Sequence, residues 1–164
     1  MPASKLSDAQ IQPAGDAAIT RAVTLLRAGQ PVALPTETVY GLAADASRAD
    51  AVAAIYRIKG RPDFNPLIVH VPDVEAARSL AVFDSHAEKM AAAFWPGPLT
   101  LVLPLVEGAN VAPAVTAGLP TIALRCPAHP VMRGVLQASG MALAAPSANR
   151  SGAISPTTAA HVAA

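Results

Sequence analysis

Cysteine occurs once in this chain, at Cys126, which excludes an internal disulfide and any cysteine-based zinc cluster. That usage predicts a reducing, cytoplasmic setting. A lone cysteine after an apolar run reads as a small buried hydrophobe before it reads as a nucleophile. Charge is also scarce: 14% of the residues are Asp, Glu, Lys or Arg, against 52% hydrophobic. A chain of 164 residues with that balance is not disordered and packs as one domain with a sizeable core. Its 12 cations and 11 anions leave a net charge of +1, so bulk charge predicts no general affinity for nucleic acid and leaves only a local basic cleft. No apolar run approaches the roughly 20 residues of a membrane span, and "MPASKLSDAQIQPAGD" lacks the apolar core of a signal peptide.

Familiar site motifs are missing too. Neither G-x-x-x-x-G-K-[ST] nor G-x-G-x-x-G occurs, which removes the two common phosphate cradles. There is no H-E-x-x-H, no G-x-S-x-G elbow, and His70, His86, His129 and His161 share no metal-ligand spacing.

What is present is an alternation of helical and strand-like runs. Residues 1–14 read as a polar, flexible arm, and residues 15–164 as one domain. A helix is expected over 16–29, with Asp16 as its N-cap and Gly29 as its stop. "PVALP" reads as a strand that continues through "TETVYGLAADAS" as an extended turn, and "RADAVAAIYRIKG" as a second helix. "PLIVHV", "LTLVLPL", "TIALRCP" and "MALAAPSAN" read as strands. Residues 73–81, "SHAEKMAAAFW" and "HPVMRGVLQASG" read as helices. The pattern predicts an α/β fold with an open, mixed or largely parallel twisted sheet. Phe94 and Trp95, braced by "PGP", read as packing that fixes a turn.

Four polar loops each join an apolar strand. "PTETVYGL" supplies hydroxyls, a tyrosine and one carboxylate. "KGRPDFNP" supplies Lys59, Arg61 and an amide. "TIALRCP" brings Arg125 to a strand end, and "PSANRSGAIS" supplies Ser147, Asn149, Ser151 and Ser155 around Gly152. Three cations with small hydroxyl donors suit a polyanion such as a nucleoside triphosphate, or a carboxylate held by a guanidinium. Each loop also has a plain structural reading. Lys59 and Arg61 can finish a helix C-terminus, Arg125 can be a strand-end charge, and Ser147 and Asn149 can make a turn. His70 reads as a hydrogen-bonded core residue or a ligand contact. Four such loops together point to a ligand.

"PTETVYGL", "IYRIKGRPDFNPLIVH", "FWPGPLTLVL", "TIALRCPAHP" and "APSANRSGAISPT", in this order, resemble the YrdC-like threonylcarbamoyl-adenylate synthases. The most specific element is the K-x-R pair joined with a distant S-x-N, here Lys59, Arg61, Ser147 and Asn149. The resemblance covers the chain from about residue 16 to its end. It implies an open twisted mixed sheet with flanking helices (α/β or α+β) around a concave basic cavity. It also implies a nucleotidyltransferase that makes threonylcarbamoyl-AMP and pyrophosphate from L-threonine, bicarbonate or CO2, and ATP with Mg2+. The product then passes to the machinery that modifies tRNA.

By the same resemblance, Lys59, Arg61, Ser147 and Asn149 are catalytic, with Lys59 facing phosphate or carbamate oxygens. Arg61, Asn65, Thr121, Ser147 and Ser155 bind ATP. Thr38, His70, Arg125 and, through its backbone, Ala145 bind threonine, with Arg125 bidentate to its carboxylate. The family's domain continues through a further strand and a late arginine, so a domain shortened at its C-terminus is expected. Three alternatives stand beside this: a non-catalytic module binding double-stranded RNA, an inactive fragment, and a carbamoyl-adenylate domain like that of hydrogenase-maturation proteins.

Overall fold

The computed structural model describes residues 10–62 and 65–164. Residues 1–9 of the expected arm therefore lie outside the described residues, as do Asp63 and Phe64 of the "KGRPDFNP" loop. Along the chain run α1 (Asp16–Arg27), β1 (Val32–Pro35), β2 (Tyr40–Asp45), α2 (Ala49–Lys59), β3 (Ile68–His70), α3 (Val74–Arg78) and α4 (Ser85–Phe94). There follow β4 (Thr100–Pro104), α5 (Pro113–Thr116), β5 (Thr121–Arg125), α6 (Pro130–Ser139), β6 (Leu143–Ala144) and α7 (Ala159–Ala163).

The six strands form one open sheet in the order β1-β2-β6-β3-β5-β4. Only β3 and β5 pair in parallel; the other pairs are antiparallel, so the sheet is mixed and not largely parallel. The stretch expected as an extended turn after "PVALP" is strand β2 in its second half. Its "YGLAAD" is poor in β-branched residues, which hid it from propensity, but small residues fit a strand flanked on both sides by β1 and β6.

Asp16 does not cap α1. Gly15 occupies the N-cap, and Asp16 is the first helical residue, where its carboxylate still meets the positive helix end. Asp73 and Asp84 do cap, accepting from the N–H groups of Ala76 and Ala87 at 2.8 Å each. Gly60 ends α2 in the left-handed conformation at φ 60°, and the Arg61 N–H turns back to Tyr56 O at 3.0 Å.

Helices α2 to α5 pack on one face of the sheet. Val52, Ile55, Ala77, Ala91 and Val115 meet Val69, Ile122 and Leu124 in one core cluster. Trp95 closes that cluster edge-on to Phe83, at 6.2 Å between centroids, and donates Nε1–H to Leu99 O at 2.8 Å. Phe94 has no such part and is 55% exposed. The buried stripe of α4 is Ala87 and Ala91, continued by Trp95 at four-residue spacing, which turns Phe94 to solvent.

On the other face α1 and α6 cover Ala43, Leu143 and Ala145, the part of the sheet made by β1, β2 and β6. Neither core cluster places a helix on that face over Ile68, Ala123 and Val102. Register shows the result. Ile68, Ala123 and Val102 stand in one row across these strands. Ile68 is 36% and Val102 65% exposed, whereas Val69 and Leu124 on the reverse face are wholly buried.

Candidate functional site

The uncovered sheet face carries side chains that the sequence singled out. The row beside Ile68–Ala123–Val102 is His70–Arg125–Thr100, and the row on its other side holds Thr121 and Pro104. Thr121 and Arg125 therefore share a face, separated by four residues of β5, roughly 13 Å at about 3.3 Å per residue.

At the end where β3 and β5 begin, four sequence motifs meet. Arg61 donates from Nη2 to Pro66 O at 2.9 Å, just before β3. Thr121 opens β5 at the same end. Because β6 runs against β3, its exit brings Ser147 there too, in a bridge with Gly41. Pro156 O accepts from Tyr40 N–H at 2.9 Å, which seats Ser155 beside the start of β2. Asn65 O accepts from Tyr56 Oη at 2.7 Å, so Tyr56, which sequence reasoning passed over, fixes the Arg61 loop on α2.

Lys59 joins the two halves of the K-x-R and S-x-N pattern, but not as expected. Its side chain is buried, and Nζ donates to the carbonyls of Ser147 and Asn149. An ammonium taken from water needs such acceptors. Lys59 O in turn accepts from Ser151 N–H at 2.9 Å. Lys59 thus holds the "PSAN" loop instead of facing outward toward phosphate, and burial, with Arg61 nearby, lowers its pKa. Asn149 donates Nδ2–H to Arg150 O and Ala153 O, at 2.7 and 3.0 Å, while its buried Oδ1 has no partner.

At the other end Arg125 is buried and clasped on three sides. Nη1 donates to Thr38 Oγ1 at 3.0 Å, Nε to Gly97 O at 3.4 Å, and Nη2 to Glu37 Oε1. The guanidinium expected to hold a ligand carboxylate pairs in this structure with the carboxylate of Glu37. Gly97 reaches Arg125 because a side chain there would put Cβ 2.4 Å from Phe94 O, which only glycine avoids. Thr38, His70 and Arg125 are brought together. Ala145 lies one strand away, its N–H donating to Ile68 O at 3.0 Å.

Glu37 was legible only as the single carboxylate of "PTETVYGL". Burial pushes its pKa up, but its own N–H, the Ala128 N–H at 2.6 Å and the Arg125 charge outweigh this and hold it below the usual carboxylate range. Cys126 is buried, and burial raises its thiol pKa, so it is no thiolate nucleophile.

His70 is 3% exposed, and its Nδ1 has no partner. Burial first, then the Arg125 charge, lowers its pKa to about 4. An unfolded histidine titrates near 6.5, so between these values only the unfolded chain takes the proton. Stability is therefore lost as pH falls from about 6.5 toward 4. Folding free energy should drop by about 2 kcal/mol from pH 7 to pH 5 through His70, and the drop should vanish in His70→Asn. Urea titrations at the two pH values measure it. Glu37, held below its usual range, stays ionised between pH 7 and pH 5.

Two cavities lie elsewhere. One of about 460 Å³ sits against α3 and α4 beside Asp73, Glu75, Arg78 and Glu88. The other, of about 590 Å³, is a mostly apolar groove among α1, β1 and α7. The concave basic cavity implied by the resemblance is neither of these. Among the described residues no three His, Cys, Asp or Glu side chains are grouped to hold a metal ion, and no helix is long and apolar enough to cross a membrane.

A family model for Sua5, YciO and YrdC, described as "Telomere recombination", matches residues 24–164. The threonylcarbamoyl-AMP synthase of Bacillus subtilis is 50% identical over 149 residues, which is 90% of this chain and 43% of that protein. That of Halorhodospira halophila is 42% identical, over 81% of this chain and 69% of that protein. The crystal structure of Pyrococcus abyssi Sua5 complexed with L-threonine superposes with a TM-score of 0.88 at 47% identity, covering 93% of this chain and 44% of that one. The chain thus spans less than half the length of the Bacillus and Pyrococcus proteins.

Proposed function

Because the chain belongs to the Sua5–YciO–YrdC family, we propose that it carries the threonine and ATP sites of a threonylcarbamoyl-AMP synthase. The observation that supports this most is the single uncovered sheet face, with a carboxylate-binding arginine at one end and a cation–hydroxyl cluster at the other. Threonine sits at the His70–Arg125 end. Arg125 takes its carboxylate, Thr38 and the partnerless Nδ1 of His70 meet its polar groups, and Ala145, its N–H already engaged, offers its carbonyl. ATP lies toward the other end, where Arg61, Asn65, Thr121, Ser147 and Ser155 gather.

No side chain serves as nucleophile. Threonine's amine attacks the carbon of bicarbonate, and the amine proton leaves with the displaced hydroxide as water to give a carbamate. The carbamate oxygen then attacks the α-phosphorus, and pyrophosphate leaves. Such a reaction needs alignment and positive charge where phosphate charge develops. Arg61 supplies charge directly. Lys59 acts by fixing Ser147 and Asn149, and its ammonium adds field from beneath the loop. Mg2+ bound with ATP would add its charge to the phosphates, and the side-chain oxygens of Asn65, Ser147 and Ser155 are the neutral oxygen ligands this end could offer it. The product is consumed by a transfer to tRNA in the cytoplasm. RNA docking by this chain itself has less support, since its net charge is only +1.

The test is pyrophosphate release from ATP by the purified chain. Release should require threonine and bicarbonate together; release indifferent to threonine contradicts the assignment.

A further inference from the structure

Glu37 has no part in the reaction above, yet it makes the most developed polar contact on the site. One of its oxygens accepts from Arg125 Nη2, and the other from Ala128 N–H at 2.6 Å. Arg125 and Ala128 thereby form a carboxylate-binding site already filled by a carboxylate of the chain. The turn that delivers it is self-contained. Thr36 Oγ1 donates to Val39 O at 2.6 Å and accepts from the N–H groups of Thr38 and Val39, at 3.2 Å each. The tip of this turn leaves the β1–β2 hairpin and reaches across the sheet to the end of β5. Its hold there is made by side chains, Glu37 and Thr38 on Arg125, with Glu37 also on Ala128.

We propose that Glu37 is an internal competitor for Arg125, displaced by the carboxylate of threonine when the amino acid enters. This rests on the reading that Arg125 receives threonine. A buried guanidinium without a counterion is costly, so the empty site needs an anion of its own. Exchange of one carboxylate for another keeps Arg125 paired throughout. A ligand lacking a carboxylate cannot make that exchange, so Glu37 restricts the site to amino acids and their like. It also lowers apparent affinity by the fraction of time that it occupies Arg125.

Calorimetric titration of threonine and of threoninol, its alcohol analogue, into the wild-type chain and Glu37→Gln tests this. Glutamine keeps the length and the acceptor for Ala128 N–H but carries no charge. Threonine should bind about ten- to a hundredfold more tightly to the variant, the worth of one charge-assisted hydrogen bond, with no gain for threoninol. The variant loses a counterion and will be less stable. Glu37→Asp, which keeps the charge on a shorter arm, should fold better and show an intermediate gain. In both variants threonine should raise the melting temperature more than in wild type. Unchanged or weaker threonine binding overturns the proposal and leaves the threonine reading standing, as does an equal gain for threoninol. No threonine binding by wild type or variants, all folded by circular dichroism, overturns the threonine reading and the proposal with it.

Discussion

Arg125→Leu should lower unfolding free energy by about 3–5 kcal/mol and abolish threonine binding. The guanidinium sits in the structure with 8% of its side chain exposed, between β5, the Gly97 turn and the hairpin turn that bears Glu37. Removing it leaves the Glu37 carboxylate, itself 22% exposed, without its counter-charge, and leaves Gly97 O and Thr38 Oγ1 without their donor. The cost is chiefly that of the orphaned anion. Replacing Glu37 by leucine as well should therefore recover most of the stability, because an apolar pair can stand in for a buried ion pair. The double variant should still fail to bind threonine. Urea unfolding of wild type, the single variant and the double variant separates the two effects, since stability returns and binding does not.

Arg61→Ala should reduce threonine-dependent pyrophosphate release by about 10²–10³-fold while leaving the fold intact. Arg61 donates to Pro66 O and, at 3.5 Å, to Asn65 O, both in its own loop at the sheet's edge. Those bonds shape the loop and bury little, so the stability change should stay near 1 kcal/mol. The loss in rate follows from charge removed where the α-phosphate reacts. If Arg61 only shaped its loop, Arg61→Lys would fail as badly as alanine. Rescue of a measurable fraction of the rate by lysine, with pyrophosphate release and melting temperature both recorded, identifies charge as its contribution.

Much of the fold was readable from periodicity. Helices α1, α2, α4 and α6 stand where apolar spacing, glycine stops and proline breaks put them, because each buries one stripe against a sheet. Strand β2 reads as an extended turn in sequence because glycine and alanines carry little β signal, and its identity depends on neighbours distant in sequence. The short helices α5 and α7 have too few residues for a period. Mixed pairing, in place of a largely parallel sheet, depends on which strands meet, which the local pattern does not encode.

The candidate site was legible as a set of residue types but not as contacts. Sequence reasoning placed Lys59 with Ser147 and Asn149, and these residues do meet. It could not show that Lys59 would reach their carbonyls and be buried. It placed Thr38, His70 and Arg125 together, and they are. Glu37 was missed as Arg125's partner because 88 residues separate the two, and a lone carboxylate in a turn has no spacing to betray it. The uncovered half of the sheet was invisible for the same reason. It exists because the apolar faces of α1 and α6 pack on β1, β2 and β6, a matter of packing among remote segments.

On the proposed reading, this sheet face binds threonine at its His70–Arg125 end and ATP at its Arg61–Ser147 end. A crystal structure of the chain with threonine and a non-hydrolysable ATP analogue tests it most directly. The threonine carboxylate should lie on Arg125 and the triphosphate beside Arg61 and Ser147, across the row of Ile68, Ala123 and Val102. Density for either ligand in the groove among α1, β1 and α7, with the sheet face empty, would contradict it.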